Sequence, residues 1–340
     1  MRKIIVTGGL GFIGSNLVNL LIKNNYHPVI VDKFSYASNL YNLKNLKKKY
    51  TLCKFNIENK KKFLHVLNKY KPQAIFNLAA ETHVDRSIEK PDEFIRSNIV
   101  GVFNILECMR EFVKKNKKFK MVHISTDEVY GDIKKNKTSS ENDKYEPSSP
   151  YSASKASADH LINSYIRTFK LPIMISNCCN NFGPHQFPEK LIPKIIFNLI
   201  HNKDIPVYGK GLNEREWIYA EDHCEGLLKI LKSGKVGNSY NIGTGNVIKN
   251  KDLVKKIIKI YSKYFSKNRH ISKIKYVIDR PGHDLRYALN SNKIRKKLKW
   301  KPKNKFNAAI FKTIKWFIEN PKFYNKKQQK KFDKRIGIIK

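Results

Sequence analysis

KIIVTGGLGFIGSNLVNLLIKNN, residues 3–25, decides the fold. A β-branched run, Ile4 to Val6, gives way to Gly8, Gly11 and Gly14 at G-x-x-G-x-x-G spacing, and apolar residues then recur every three or four positions. A strand, a glycine turn and a helix in that order make a phosphate cradle. The backbone turns sharply and approaches a pyrophosphate closely, and the helix N-terminus offers it free N–H groups and partial positive charge. Phe12 and Ile13 lie inside the turn and join the cofactor set. The next apolar run, HPVIVDK, ends in Asp32, 18 residues beyond Gly14. A carboxylate there accepts from the adenosine ribose hydroxyls and repels a 2′-phosphate, which favours NAD over NADP. Lys33 beside it weakens that preference slightly, and Phe34 and Ser35 continue the same edge. Asn56 and Ile57 are placed to border the adenine. LAAET, residues 78–82, ends a later strand on the cofactor-facing edge and contributes Leu78, Ala79, Ala80 and Thr82.

HPVIVDK, QAIFNLAAE and FKMVHIST read as further strands, each a continuous apolar run of the kind found when helices cover both sheet faces. FIGSNLVNLLIKNN (12–25) and FIRSNIVGVFNILECMREFVKKN (94–116) carry helical spacing. Alternating strands and helices predict an α/β protein with a Rossmann-type, doubly wound parallel sheet. After about residue 180 proline, glycine and asparagine punctuate the chain, as in NNFGPHQFPEKLIP and VYGKGLNERE. The expected organisation is an NAD-binding domain over 1–180 with some later elements returning to it, a smaller interleaved C-terminal substrate-binding portion over 181–318, and a basic tail over 319–340.

A chain of 340 residues with 41% hydrophobic content is globular. No run approaches the roughly 18 apolar residues of a membrane span. A strand beginning at Lys3 leaves no room for a leader, so the expected address is the cytoplasm, with no membrane partner. Five scattered cysteines without C-x-x-C spacing predict reduced thiols and no metal site. The net charge of +40 would suit a phosphate-rich partner. Its lysines, however, are spread through nearly every polar segment among many asparagines, as a codon bias would leave them, and nucleic acid is not the expected partner. Like charges cluster at KKQQKKFDKR, residues 326–335.

SSPYSASKASADHL places Tyr151 and Lys155 four residues apart, on one face of a helix that Ser149 caps and Pro150 opens. Tyrosine titrates near pH 10 unless a neighbouring cation lowers it. Lys155 is expected to supply that charge and to bind the nicotinamide ribose.

Together, the glycine turn, Asp32, the Y-x-x-x-K pair and the chain length resemble the extended short-chain dehydrogenase/reductase superfamily, most of whose members act on nucleotide sugars. Within it the chain is similar to the 4,6-dehydratases, from Met1 to about residue 318, through AAETHVDRSI, STDEVYGD, SPYSASKASADHL, FGPHQFPEKLIP, YGKG, EDH, YNIG and DRPGHDLRYA. The resemblance implies a lyase with tightly held NAD and dTDP-glucose as substrate, serving deoxysugar and rhamnose precursor synthesis. It also implies a homodimer paired through the helices beginning near Asp92 and Tyr151.

A hydroxyl oxidation needs one base, but elimination of water across C5 and C6 needs a base and an acid together. Asp127 and Glu128, in ISTDEVYG (124–131), are neighbouring carboxyl groups that suit this demand. The family pattern makes Asp127 the acid at the C6 oxygen, Glu128 the base at C5 and Thr126 a partner of the C4 hydroxyl. It maps substrate contacts onto Thr82, Asn180, Lys190, Leu191, Pro206, Val207, Tyr208, Arg215, Asn250, Asp279, Arg280, Pro281, Gly282 and His283, and it puts Ser97 and Asn181 on the cofactor side. The chain departs from the pattern at Thr82, Phe182 and Glu216, where serine, tyrosine and aspartate are usual. The longer carboxylate at Glu216 is expected to affect affinity beside the phosphate-binding Arg215. Two alternatives remain: an NAD-dependent epimerase or dehydratase of another nucleotide sugar, or a basic nucleic-acid-binding protein on a degenerate Rossmann scaffold.

Overall fold

The structure, a computed structural model, describes residues 1–46, 49–266 and 272–323. The basic cluster at 326–335 lies outside the described residues.

Seven parallel strands form the central sheet: β1 (Arg2–Thr7), β2 (Tyr26–Asp32), β3 (Thr51–Lys54), β4 (Ala74–Asn77), β5 (Lys120–Thr126), β6 (Ile173–Cys178) and, far later in the chain, β10 (Ser239–Ile242). Their spatial order is β10-β6-β5-β4-β1-β2-β3. The chain runs outward from β1 to β3 and then crosses back to β4 on the other side of β1. That reversal opens a crevice beyond the carboxyl ends of β1 and β4, where ligands bind in such sheets.

Helices cover both faces. On one, Leu17 and Leu21 pack with Leu227, Tyr240 and Trp300; on the other, Phe63, Leu67, Ile105, Met109 and Ile162 close the core. A third core, with Phe182, Ile196, Trp217, Ile257 and Ile314, lies under two small sheets. One contains β7 (Asn180–Phe182), β9 (Glu214–Tyr219) and β11 (Val247–Lys249); the other pairs β8 (Ile205–Tyr208) with β12 (Ile274–Val277). β7 follows β6 after a single residue, so the small sheets hang from the carboxyl edge of the large one.

The helix expected over 94–116 differs in detail. Helical backbone begins at Pro91, passes through a π-helical turn over Ile95–Val100 and ends at Phe112. The wider turn brings Asn98 inward, where its Oδ1 accepts from the Glu81 N–H and its Nδ2 donates to the Glu81 carbonyl and to Ser154. One side chain thereby ties the end of the β4 segment to the Tyr151 helix. No helix among the described residues is long and apolar enough to cross a membrane. Cys108, Cys178, Cys179 and Cys224 are buried, and Cys53 is half-buried.

Candidate active site

The glycine turn is built from backbone. Gly8 takes φ +67°, which a side chain disfavours, and its N–H donates to the Val31 carbonyl at 2.8 Å. A Cβ on Gly14 would collide with the Gly8 carbonyl. Asp32 closes the turn: one carboxylate oxygen accepts from the Leu10 N–H at 3.0 Å, and the other from the Phe34 N–H at 2.8 Å and Ser38 Oγ at 2.7 Å. Two carboxylate oxygens offer about four lone-pair sites, so capacity for ribose hydroxyls is left. Lys33 pairs with Glu81 at 2.7 Å.

A single cleft runs from this turn to the ends of β4, β5 and β6. It is lined by Gly8, Gly11 to Gly14, Asp32, Lys33, Ser35, Asn56, Ile57, Leu78 to Ala80, Thr82, Ser97 and Asn181, and at its inner end by Thr126 to Glu128, Tyr151, Lys155, Asn180 and Lys190. Phe34 does not line it. With φ +62°, the residue turns its ring away, under the Lys54 amine and against the core.

At the inner end, β5 delivers Thr126 as the cap of a short 3₁₀ turn, Asp127–Tyr130. Thr126 Oγ accepts from the Glu128 N–H and donates to Asp127 at 3.2 Å, and its hydroxyl lies near enough to Tyr151 to favour the phenolate. The threonine thus neighbours both the tyrosine and the carboxylate pair. Burial, then the charges of Glu128 and Glu216, hold the Asp127 carboxyl well above its ordinary range. Glu128 is raised by burial, but Arg280, Arg215 and Lys190 oppose the rise. Of the two, Asp127 keeps its proton more firmly.

Ser149 caps the Pro150–Phe169 helix as expected, in a reciprocal box with Ser152. The Tyr151–Lys155 pairing differs from expectation. Burial and the negative charge of Glu128 raise the Tyr151 phenol well above its usual value. The Lys155 amine, meanwhile, donates to the Ile124 carbonyl at 2.7 Å and faces His123 Nε2 at 3.3 Å. Both side chains share one helical face, yet the lysine reaches past the tyrosine into the sheet.

Two members of the set expected to contact substrate, Tyr208 and Arg280, meet at a carboxylate the sequence did not single out. Asp85 accepts from Tyr208 Oη at 2.7 Å and from Arg280 Nη1 at 3.1 Å. Arg215 lies over the Tyr287 ring at 4.2 Å and donates to the Asp284 carbonyl, while His283 contacts Asp279 at 2.6 Å. Lys190 donates to the Thr82 carbonyl at 2.6 Å. Leu191 packs against the third core. Pro281 and Gly282 follow Arg280, Gly282 at φ +60° near the Ser148 carbonyl. Val207 falls on the inward side of β8, 2% exposed, between Pro206 and Tyr208, so its side chain belongs to the core. Glu216 is corrected likewise. Strand alternation turns it away from Arg215, and its carboxylate accepts from the Gly245 and Leu289 N–H groups at 2.6 and 2.8 Å.

Several polar atoms here are buried without a protein partner: Asp127 Oδ2, Asn180 Oδ1, Asn250 Oδ1 and Arg280 Nε. Buried polar groups are costly unless paired, and these four suit a polar ligand. Together with the glycine cradle they fit a dinucleotide and a sugar nucleotide meeting end to end. A clasp also missed from the sequence spans the mouth: Glu189 accepts from Tyr36 Oη at 2.9 Å and from Arg86 Nε at 3.1 Å, with the guanidinium over the Tyr36 ring.

A Rossmann sheet ending in a Thr-Asp-Glu turn beside a Y-x-x-x-K helix defines a sugar-nucleotide dehydratase of the short-chain dehydrogenase type. The family model for GDP-mannose 4,6 dehydratase matches residues 5–313, and the chain belongs to that family. More particularly, it is 43% identical to the dTDP-glucose 4,6-dehydratase of Salmonella typhimurium across 95% of this chain and 94% of that protein. It is 44% identical to the Neisseria meningitidis protein of the same name, across 94% of each chain. Its backbone superimposes with a TM-score of 0.88 on the crystal structure of the Streptomyces venezuelae dTDP-glucose 4,6-dehydratase with NAD and TYD bound, at 36% identity, covering 95% of this chain and 99% of that one.

Proposed function

We infer that this chain dehydrates dTDP-glucose to dTDP-4-keto-6-deoxyglucose, using NAD as a retained cofactor. The observation that carries the reading is the Asp127–Glu128 pair, Asp127 buried and Glu128 half-buried, held on one short turn beside Thr126 and Tyr151.

Gly8, Gly11, Gly14 and Asp32 would hold NAD, which would supply the temporary oxidation at C4 and the reduction at C6, so the reaction has no net redox change. Tyr151 takes the C4 hydroxyl proton as the phenolate, the form that burial and Glu128 make the minor one and that the Thr126 hydroxyl favours, with Thr126 placed to bond the same C4 oxygen. The C4 ketone acidifies the C5 proton, which Glu128 removes; its three neighbouring cations favour the ionised form this requires. Asp127, which keeps its proton, gives it to the departing C6 hydroxyl. Glu128 then returns a proton to C5. Arg215, Arg280 and Lys190 serve the diphosphate, and Asn180 and Asn250 offer their unpaired oxygens to the sugar nucleotide. Residues 1–180, with the elements that return to them, act as the NAD-binding portion, and 181–318 act mainly on the nucleotide sugar.

Two copies pair through the 91–112 and 150–169 helices. This is supported by the exposed apolar side chains Ile95, Val100, Phe103 and Phe169 on these adjacent elements. Light scattering of Phe103→Glu would show monomer if the pairing is right.

The test of the reaction is incubation with dTDP-glucose without added cofactor, following the alkali-induced absorbance of a 4-keto-6-deoxy sugar. Product in the wild type and none in Asp127→Asn or Glu128→Gln supports the reading. No product even with added NAD would overturn it.

A further inference from the structure

We propose that His123 is a positioning residue for Lys155, presenting an N–H and not a lone pair to the lysine amine, in an orientation set from the cofactor edge of the sheet through Thr7 and Asn77. The proposal rests on the dehydratase reading above and on the expectation from the sequence that Lys155 acts as a cation beside Tyr151.

The hydrogen atoms can be placed one after another. Thr7 Oγ accepts from the Leu78 N–H at 3.1 Å and the Ala79 N–H at 3.0 Å, which uses both of its lone pairs. Its own proton therefore goes to Asn77 Oδ1 at 2.7 Å. Asn77 must then turn its amide nitrogen toward His123, where Nδ2 lies 3.0 Å from Nδ1. A donating amide requires an accepting Nδ1, so the ring proton sits on Nε2. Nε2 in turn lies 3.3 Å from the Lys155 amine and 3.6 Å from Asp159 Oδ1, a buried oxygen with no other partner. Thr7, Asn77, His123, Lys155 and Asp159 are all buried, so water does not supply alternative partners.

An N–H aimed at an ammonium gives it no acceptor; aimed at a neutral amine it makes a hydrogen bond. His123 thus favours the neutral lysine. Burial pushes the Lys155 amine down; Asp159, one turn along the same helix, opposes this by favouring the cation, while the Cys178 thiol on β6, pushed up to about 12 by burial, faces the lysine uncharged. Asp159 is itself held by Ser125 Oγ at 2.6 Å and Tyr145 Oη at 3.2 Å. Burial keeps the imidazole neutral, and the neighbouring lysine adds to that effect. Leu78 and Ala79 line the cleft, so the cofactor seat and the charge on Lys155 are joined by one chain of hydrogen bonds.

The test uses the full-length protein labelled with ¹⁵N-histidine, with the His123 signals assigned by their loss in His123→Gln. The expected wild-type pattern is a protonated Nε2 and a bare Nδ1. Asn77→Asp offers a carboxylate to Nδ1 and should reverse the pattern, and it should move the alkaline limb of kcat/KM up by about one pH unit as Nε2 becomes an acceptor for the ammonium. A wild-type Nδ1–H ring, or an unmoved limb in a variant whose ring has reversed, would overturn the proposal. If Asn77→Asp does not fold, Thr7→Val frees Asn77 to flip: mixed tautomers support the chain, and an unchanged Nε2–H ring overturns it. Absence of turnover in the wild type would sink the dehydratase reading, while the ring shifts would still score the tautomer.

Discussion

Arg280 donates to Asp85 across 195 positions of sequence, at 3.1 Å, while its Nε remains buried without an acceptor. The same carboxylate accepts from Tyr208, so one acidic side chain fixes two groups assigned to the nucleotide sugar.

Asp85→Ala leaves that guanidinium aimed by nothing. A hydrogen bond to a charged group is worth roughly 1.5–3 kcal/mol, so KM for dTDP-glucose should rise by about tenfold or more, with a smaller fall in kcat. Steady-state kinetics separate the two; an unchanged KM would remove Asp85 from the substrate site.

The unequal carboxyls predict unequal losses of a particular step. Glu128→Gln should abolish the incorporation of solvent deuterium at C5 and reduce turnover by about 10²–10⁴-fold. Asp127→Asn should slow loss of the C6 hydroxyl while sparing exchange at C5. Mass spectrometry of recovered sugar nucleotide in heavy water decides, and loss of exchange in both variants would rule out the division of labour.

Gly14→Ala places a methyl group against the Gly8 carbonyl, inside the turn proposed to receive the pyrophosphate. Overpacking of this kind costs about 1–3 kcal/mol, and here it also closes the cradle. The variant should purify without NAD, and absorbance of the protein-free supernatant after denaturation measures what is retained.

His223 is wholly buried, and burial lowers its ring to about 3. Its Nδ1 faces Asn181 Oδ1 at 2.9 Å, and that amide's nitrogen is already given to the Cys179 carbonyl, so the ring is neutral with its proton on Nδ1. The unfolded chain binds a proton that the folded ring refuses. Stability is therefore full above pH 6.5 and is lost as pH falls toward 3. His185, lowered to about 4 by burial, acts in the same direction. In His223→Gln the circular-dichroism midpoint of acid unfolding should move to lower pH; an unmoved midpoint would show that other groups govern the acid limb.

What the sequence revealed was what is local. The turn from Gly8 to Gly14, Asp32 at the end of β2, the Ser149 cap and the Tyr151–Lys155 face depend on residues a few positions apart. The partners of Lys155 were not legible, because His123 reaches it through strand pairing and not through spacing. Asp85 was hidden for the same reason, its two clients lying 123 and 195 positions away. Phe34 and Glu216 were misplaced by one local variable each, a left-handed backbone and the alternation of a strand. The π-helical turn had no signal in apolar periodicity, since the polar Asn98 at its centre creates the demand for it.

Strand β10 completes the large sheet only after residue 239, beside β6, which ends at residue 178. During synthesis, β6 therefore waits with an unpaired edge while some sixty intervening residues are made. Nascent chains of intermediate length present a ready template for wrong strand pairing. The last strand of the sheet is thus also the last to be synthesised, and the β6 edge is closed only once it has been made.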